Sequence, residues 1–154
     1  MDDKLYNLCM SKLIVGCDHA GFEMKEEIKS WLFDIGYEVE DVGARELAPD
    51  DDYPDYTIPM TEKILADKSS RGVFFGGSGQ GEAMCANRHS GIRAGVYYGG
   101  DLEIIRKMRE HNNTNVLSIG ARFININEAK EAIKLWINTK FPGDERHVRR
   151  LSKF

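Results

Sequence analysis

Short apolar runs alternate along the chain with longer stretches in which apolar residues recur at helical spacing, and the alternation repeats five times. The short runs, each predicted as a strand, are Lys12 to Cys17, Tyr37 to Val42, Gly72 to Phe75, Arg93 to Tyr97 and Val116 to Ile119. After the first, Phe22, Ile28, Trp31, Leu32 and Ile35 share one face of a helix that Gly36 is placed to cap. Ile58, Ile64 and Leu65 mark a second helix, whose start lies between Pro54 and Pro59. Further helices are predicted from about Gly81 to Asn87, from Asp101 to about Glu110 and from Asn127 to about Asn138, and a basic tail closes the chain. Strands as continuously apolar as Val73-Phe74-Phe75, each leading into a helix, imply an α/β fold with a parallel sheet covered on both faces. No internal repeat, low-complexity stretch or linker divides the pattern.

Open parallel sheets bind ligands beyond the carboxyl ends of their strands, so the strand exits are where chemistry is expected. The first exit is Cys17-Asp18-His19-Ala20-Gly21. Asp18 suits either a helix cap or acid–base work, and His19 beside a helix N-terminus would strengthen an anion site. The third exit, G-G-S-G-Q-G-E from Gly76, fails the known phosphate loops at one position. Glu82 stands where the dinucleotide fingerprint needs glycine and where the P-loop needs lysine. A carboxylate there repels nucleotide phosphates. The glycine N–H groups can instead serve a developing oxyanion while Glu82 handles a proton, the alternative being a tight turn with a surface glutamate. Gln80 also breaks the G-x-S-x-G nucleophile elbow around Ser78, which weakens a hydrolase reading with Ser78, His111 and Asp18. His111 falls at a predicted helix end, where an imidazolium is favoured, with Asn112 beside it; a C-cap pair is the plainer reading. Arg122 follows the fifth strand, and Arg146, His147, Arg149 and Arg150 offer planar donors for phosphate or form a solvated tail.

Composition narrows the partner. The 154 residues carry 21 Lys and Arg against 25 Asp and Glu, a net charge of −4 with no basic stripe, which excludes a nucleic-acid footprint. Charge is uneven, however: eight acids crowd residues 38–55, whereas Arg146, Arg149, Arg150 and Lys153 stand together near the end. A local basic cluster on an acidic chain points to a small anionic ligand. No apolar run approaches the ~20 residues a bilayer requires, and no signal peptide is evident, so a cytoplasmic protein without a membrane partner is expected. Cys9, Cys17 and Cys85 form no C-x-x-C pair and are read as ordinary thiols, giving neither a disulfide framework nor a zinc site. The whole set suits proton transfer on a phosphorylated small molecule, with no metal ligands at recognisable spacing.

Seven motifs then carry a resemblance. G-C-D-H-A-G-F-E-M-K from Gly16, D-Y-P-D-Y from Asp52, G-G-S-G-Q-G-E from Gly76, A-N-R from Ala86 with G-I-R-A, E-H-N-N-T-N-V-L from Glu110, G-A-R from Gly120 and R-H-x-R-R from Arg146 occur in that order. The sequence resembles ribose-5-phosphate isomerase type B, the family that includes the galactose-6-phosphate isomerase subunits. Residues 1–11 fall outside as an N-terminal extension, leaving 12–154 as one domain. The resemblance implies a Rossmann-like three-layer α/β/α sandwich with a five-stranded parallel sheet. It also implies a homodimer with active sites shared between subunits and isomerisation of ribose 5-phosphate to ribulose 5-phosphate with no metal or cofactor. One subtype has cysteine before the glycine turn; the other has glycine there and glutamate after it. Gly76 and Glu82 match the second. On the matched positions, Glu82 would be the base and His111 the ring-opening acid helped by Asp18. Ser78, Gly77, Gly79, Gln80 and Gly81 would hold the enediolate, while Asn112 and Tyr53 would contact the sugar. His19, Arg122, Arg146 and Arg150 would bind phosphate. An isomerase of another aldose phosphate (tetrose, allose or galactose phosphate) and a non-catalytic sugar-phosphate sensor are the alternatives.

Overall fold

The computed structural model describes residues 12–154, so the extension of residues 1–11, with Cys9, lies outside the described residues. Five strands, β1 (Lys12–Cys17), β2 (Glu38–Asp41), β3 (Arg71–Gly76), β4 (Ala94–Tyr97) and β5 (Val116–Gly120), form one sheet in the order β2-β1-β3-β5-β4, every neighbouring pair parallel. Six helices join and follow them: α1 (Phe22–Asp34), α2 (Pro54–Ala66), α3 (Gln80–Asn87), α4 (Glu103–Glu110), α5 (Ile126–Asn138) and α6 (Glu145–Leu151).

Strand side chains alternate between two cores, as the period of two requires. Leu13, Val15, Cys17, Val73 and Phe75 pack on one face with Ile28 and Leu32 of α1, Ile105 of α4 and Ile133 and Trp136 of α5. Ile14 and Phe74 pack on the other with Met60 and Ile64 of α2 and Ala86 of α3. Both faces are covered, which gives the expected three-layer α/β/α sandwich.

Local departures from the predicted pattern have identifiable causes. Gly36 adopts φ +92°, and its N–H and that of Tyr37 bond back to Phe33 and Leu32, ending α1 one residue before Ile35, which is therefore left exposed. The inward position one turn before Ile28 is taken by Lys25, fully buried, whose Nζ reaches Glu26 (2.6 Å), Asp41 (2.7 Å) and the carbonyl of Ala44 (2.8 Å). Helix α2 buries Thr57 and Thr61 beside Met60 and Ile64, with their hydroxyls bonded to the carbonyls of Tyr53 and Ile58. Ile58 and Leu65 are correspondingly exposed, because threonines that satisfy their own hydroxyls can face a core. The segment read as a basic tail forms α6, whose apolar members are Val148 and Leu151, too few to register as a periodic face. No described helix is long and apolar enough to cross a membrane.

The chain leaves β1 for β2 on one side and returns through α2 to β3 on the other. The crevice beyond β1 and β3 is thus the sheet's topological switch point.

Candidate active site

Two exits meet at that crevice because backbones approach closely. The 3-10 turn His19–Gly21 lies directly on the end of β3: a β-carbon on Gly21 would fall 1.9 Å from the carbonyl oxygen of Phe75. The loop from Gly76 to Gly81 is in turn tied to β5. Ala121 N donates to Gly76 O (2.8 Å) and Arg122 N to Gly77 O (3.1 Å), while the buried Ser118 hydroxyl donates to Gly79 O at 2.7 Å. Gly79 holds φ +78°, a conformation that disfavours any side chain there. Fastening falls on the loop's carbonyl oxygens, the arrangement a loop needs if its N–H groups are to meet an oxyanion. Ser78 Oγ accepts from Gln80 N at 3.3 Å.

Glu82 follows in the first turn of α3 and is buried, 5% exposed. Its carboxylate fills the space beside Gly76, where a β-carbon would lie 1.9 Å from Oε1 and 2.2 Å from Cδ. Burial pushes its pKa up, its own backbone N–H opposes this, and the negative charge of Asp18 adds to the rise. Asp18 is buried too and its pKa is also raised, chiefly by burial. It caps the 3-10 turn, accepting from Ala20 N at 3.0 Å, so the cap reading holds while its charge also acts on Glu82. Tyr53 covers the start of α3, with its hydroxyl 2.9 Å from where a β-carbon on Gly81 would stand. Arg122 reaches the loop: its Nη1 lies 3.4 Å from the corresponding point on Gly77.

His19 donates its backbone N–H to Asp51 Oδ1 (3.1 Å), and its ring Nδ1 lies 2.7 Å from the same oxygen. Asp51 had no signal in the sequence beyond its place in the acidic loop, because it stands 32 residues from its partner. Asp18, His19 and Asp51 each bring one ligand atom within 4.8 Å of the others, a set that could hold a metal ion. A cation on Nδ1 would have to replace the short bond to Asp51. Spacing along the chain could not reveal this cluster. Cys17 is buried with its pKa pushed up to about 12 by burial, and burial likewise raises that of Cys85, so neither is a ready thiolate.

His111, Asn112, Arg146 and Arg150 do not join this group within one chain. His111 is the C-cap of α4, just ahead of β5, and therefore lies at the amino-terminal edge of a parallel sheet. The length of β5, about 13 Å at ~3.3 Å per residue, separates that edge from the strand exits. There His111 stacks on His147, with ring centroids 4.3 Å apart and planes at 16°, and this contact holds α6 at the same edge. Arg146 Nε donates to His147 Nε2 at 3.2 Å. Burial, followed by the charges of His111, Arg146 and Arg150, holds the His147 imidazole below its usual range. The chain thus presents two clusters: a carboxylate and glycine-loop half at the exits, and a histidine and arginine half at the opposite edge.

A family model described as Ribose/Galactose Isomerase matches residues 13–154. The chain belongs to the ribose/galactose isomerase family. Ribose-5-phosphate isomerase B of Mycobacterium tuberculosis is 35% identical over 140 residues, covering 91% of this chain and 85% of that protein. The Escherichia coli enzyme of the same name is 34% identical over 145 residues, covering 92% and 93%. Among solved structures, ribose-5-phosphate isomerase B from Mycoplasma genitalium with bound ribulose-5-phosphate superposes with TM-score 0.88 at 28% identity, covering 94% of this chain and 93% of that one. A ribose 5-phosphate isomerase from Thermotoga maritima gives 0.86 at 37% identity, covering 92% and 95%. In this ribose/galactose isomerase the volume that a side chain on Gly76 would fill is occupied by the Glu82 carboxylate.

Proposed function

We propose that the chain interconverts ribose 5-phosphate and ribulose 5-phosphate by moving one proton between C2 and C1 through an enediolate. The observation that carries this reading is Glu82: a buried carboxylate with a raised pKa and, among the described residues, no basic partner, at the mouth of a glycine loop fastened by its carbonyls. A carboxylate left unpaired by the fold is free to take a carbon-bound proton, and a pKa moved toward neutrality improves it as a base. In this scheme Glu82 removes the C2 proton and, after exchange of that proton with solvent, delivers a proton to C1. The N–H groups of Gly77 to Gly81 and the Ser78 hydroxyl stabilise the enediolate oxygen. A placed base supplies typically ~10²–10⁴-fold and one oxyanion donor about 2.7–4 kcal/mol, so the two together account for a useful part of the acceleration without a metal. His111 opens the furanose ring with help from Asp18, Asn112 and Tyr53 hold sugar hydroxyls, and His19, Arg122, Arg146 and Arg150 bind the phosphate.

These roles require the two clusters to meet, and a homodimer meets the requirement. A two-fold axis can set the histidine and arginine edge of one copy against the strand exits of the other, completing two equivalent sites. The phosphorylated substrate accords with a cytoplasmic place of action. The reading is tested by conversion of ribose 5-phosphate to ribulose 5-phosphate by purified protein in the presence of a chelator, beside a panel of tetrose and hexose phosphates. Chelator-resistant turnover with ribose 5-phosphate preferred is expected. Preference for another sugar would reassign the substrate, and tight binding without turnover would make the chain a sensor.

A further inference from the structure

We propose that Asp51 is a positioning residue for substrate phosphate, acting through His19; this rests on the reading of His19 as a phosphate ligand. The Asp51 side chain is 9% exposed and, among the described residues, its one ionic partner is His19. A single oxygen, Oδ1, receives both the backbone N–H and the ring Nδ1 of that histidine, at 3.1 and 2.7 Å. Holding a side chain at its root and its ring together leaves the imidazole one orientation. Because Nδ1–H is directed to Asp51, the ring nitrogen left for a ligand is Nε2, and a phosphate oxygen can accept only if Nε2 also carries a proton. The phosphate-binding form is therefore the imidazolium, and Asp51 supplies its counter-charge. Asp18 Oδ2, 4.0 Å from the same Nδ1, is too far to share that bond. The other Asp51 oxygen, Oδ2, is buried, and the Tyr56 hydroxyl faces this carboxylate, whose charge adds to burial in raising the tyrosine's pKa.

The residue's position explains how it reaches His19. Asp51 lies in the acidic loop that follows β2 and stands three residues before Pro54, the first residue of α2, so the chain that carries Tyr53 over α3 also carries Asp51 to the first strand exit.

The test is a double-mutant cycle on Asp51 and His19. It is read as KM and kcat for ribose 5-phosphate and as the affinity for inorganic phosphate by calorimetry, which needs no turnover. Asp51→Ala should raise KM and weaken phosphate binding by at least about 10-fold, since charged hydrogen bonds are worth that much, with kcat within about 3-fold. Asp51→Asn keeps an acceptor but removes the charge, and should recover part of the loss. In a His19→Ala background, Asp51→Ala should add less than about 2-fold, because the effect passes through the imidazole. An Asp51→Ala effect of equal size in both backgrounds, or none in either while His19→Ala weakens phosphate, would overturn the proposal alone. Unchanged phosphate affinity in His19→Ala would overturn the phosphate reading of this site, and the proposal with it.

Discussion

The carboxylate of Glu82 occupies the space that a side chain on Gly76 would need, with Oε1 1.9 Å from the ideal β-carbon position. The two residues are six apart in sequence yet compete for one volume at the floor of the site. Gly76→Ala should therefore displace the carboxylate and lower kcat by at least roughly 10², the order a placed base supplies. It should also destabilise the fold through overpacking, by about 1–3 kcal/mol. Adding Glu82→Ala should return stability without returning activity. Thermal melts and kinetics on the single and double variants check this, and an active Gly76→Ala enzyme would mean that the base is elsewhere.

Glu82 also sets a pH dependence of stability. Its pKa is raised above the ordinary 4.5 in the folded state, so the stability linked to it is fully present below that value and is lost as pH rises through the folded pKa. Glu82→Gln, nearly isosteric, removes the penalty. The melting temperature of the variant should match wild type near pH 4 and exceed it increasingly as pH rises to 7.5. A variant less stable than wild type at pH 7.5 would contradict the assignment of a destabilised carboxylate.

Much of this was legible in the chain. β1 runs from Lys12 to Cys17 as its apolar pattern indicates, and the glycine loop and Glu82 fall at a strand exit because a parallel sheet leaves few other places for them. What escaped the sequence has a common cause, namely pairing across distance. Lys25 reads as polar yet is buried, because Asp41 and Ala44 arrive from another element. Asp51 meets His19, Ser118 meets Gly79 and His147 stacks on His111 through contacts that no spacing announces. The position of His111 at the edge opposite Glu82 follows only from the strand directions, so motif order alone placed both residues in one site without showing that one chain holds them apart.

Ser118 is the hidden support of the loop. Its hydroxyl is fully buried and satisfies the carbonyl of Gly79, the residue in left-handed conformation. Ser118→Ala leaves that carbonyl unpaired, at a cost of about 1–3 kcal/mol. Under the proposed mechanism turnover should fall several-fold with KM little changed, because the loop's N–H groups would act on the enediolate more than on bound sugar. A normal kcat with a lowered melting temperature would make the bond purely structural.

If active sites are shared, inactive chains should complement one another. Glu82→Gln and His111→Asn subunits, mixed so that hybrids form, place one intact glutamate and one intact histidine in the same site, restoring about half of wild-type activity per hybrid dimer. Mixed subunits no more active than the separate variants would show that each site draws both residues from a single chain.

The most direct test of the account is the rate at which deuterium from D2O enters the sugar as ribose 5-phosphate is isomerised, followed by proton NMR in wild type and Glu82→Gln. Wild type should place deuterium at C1 of ribulose 5-phosphate, and Glu82→Gln should slow that exchange by at least roughly 10² while binding inorganic phosphate as tightly as wild type. Exchange at the wild-type rate in Glu82→Gln would contradict the assignment of Glu82 as the base.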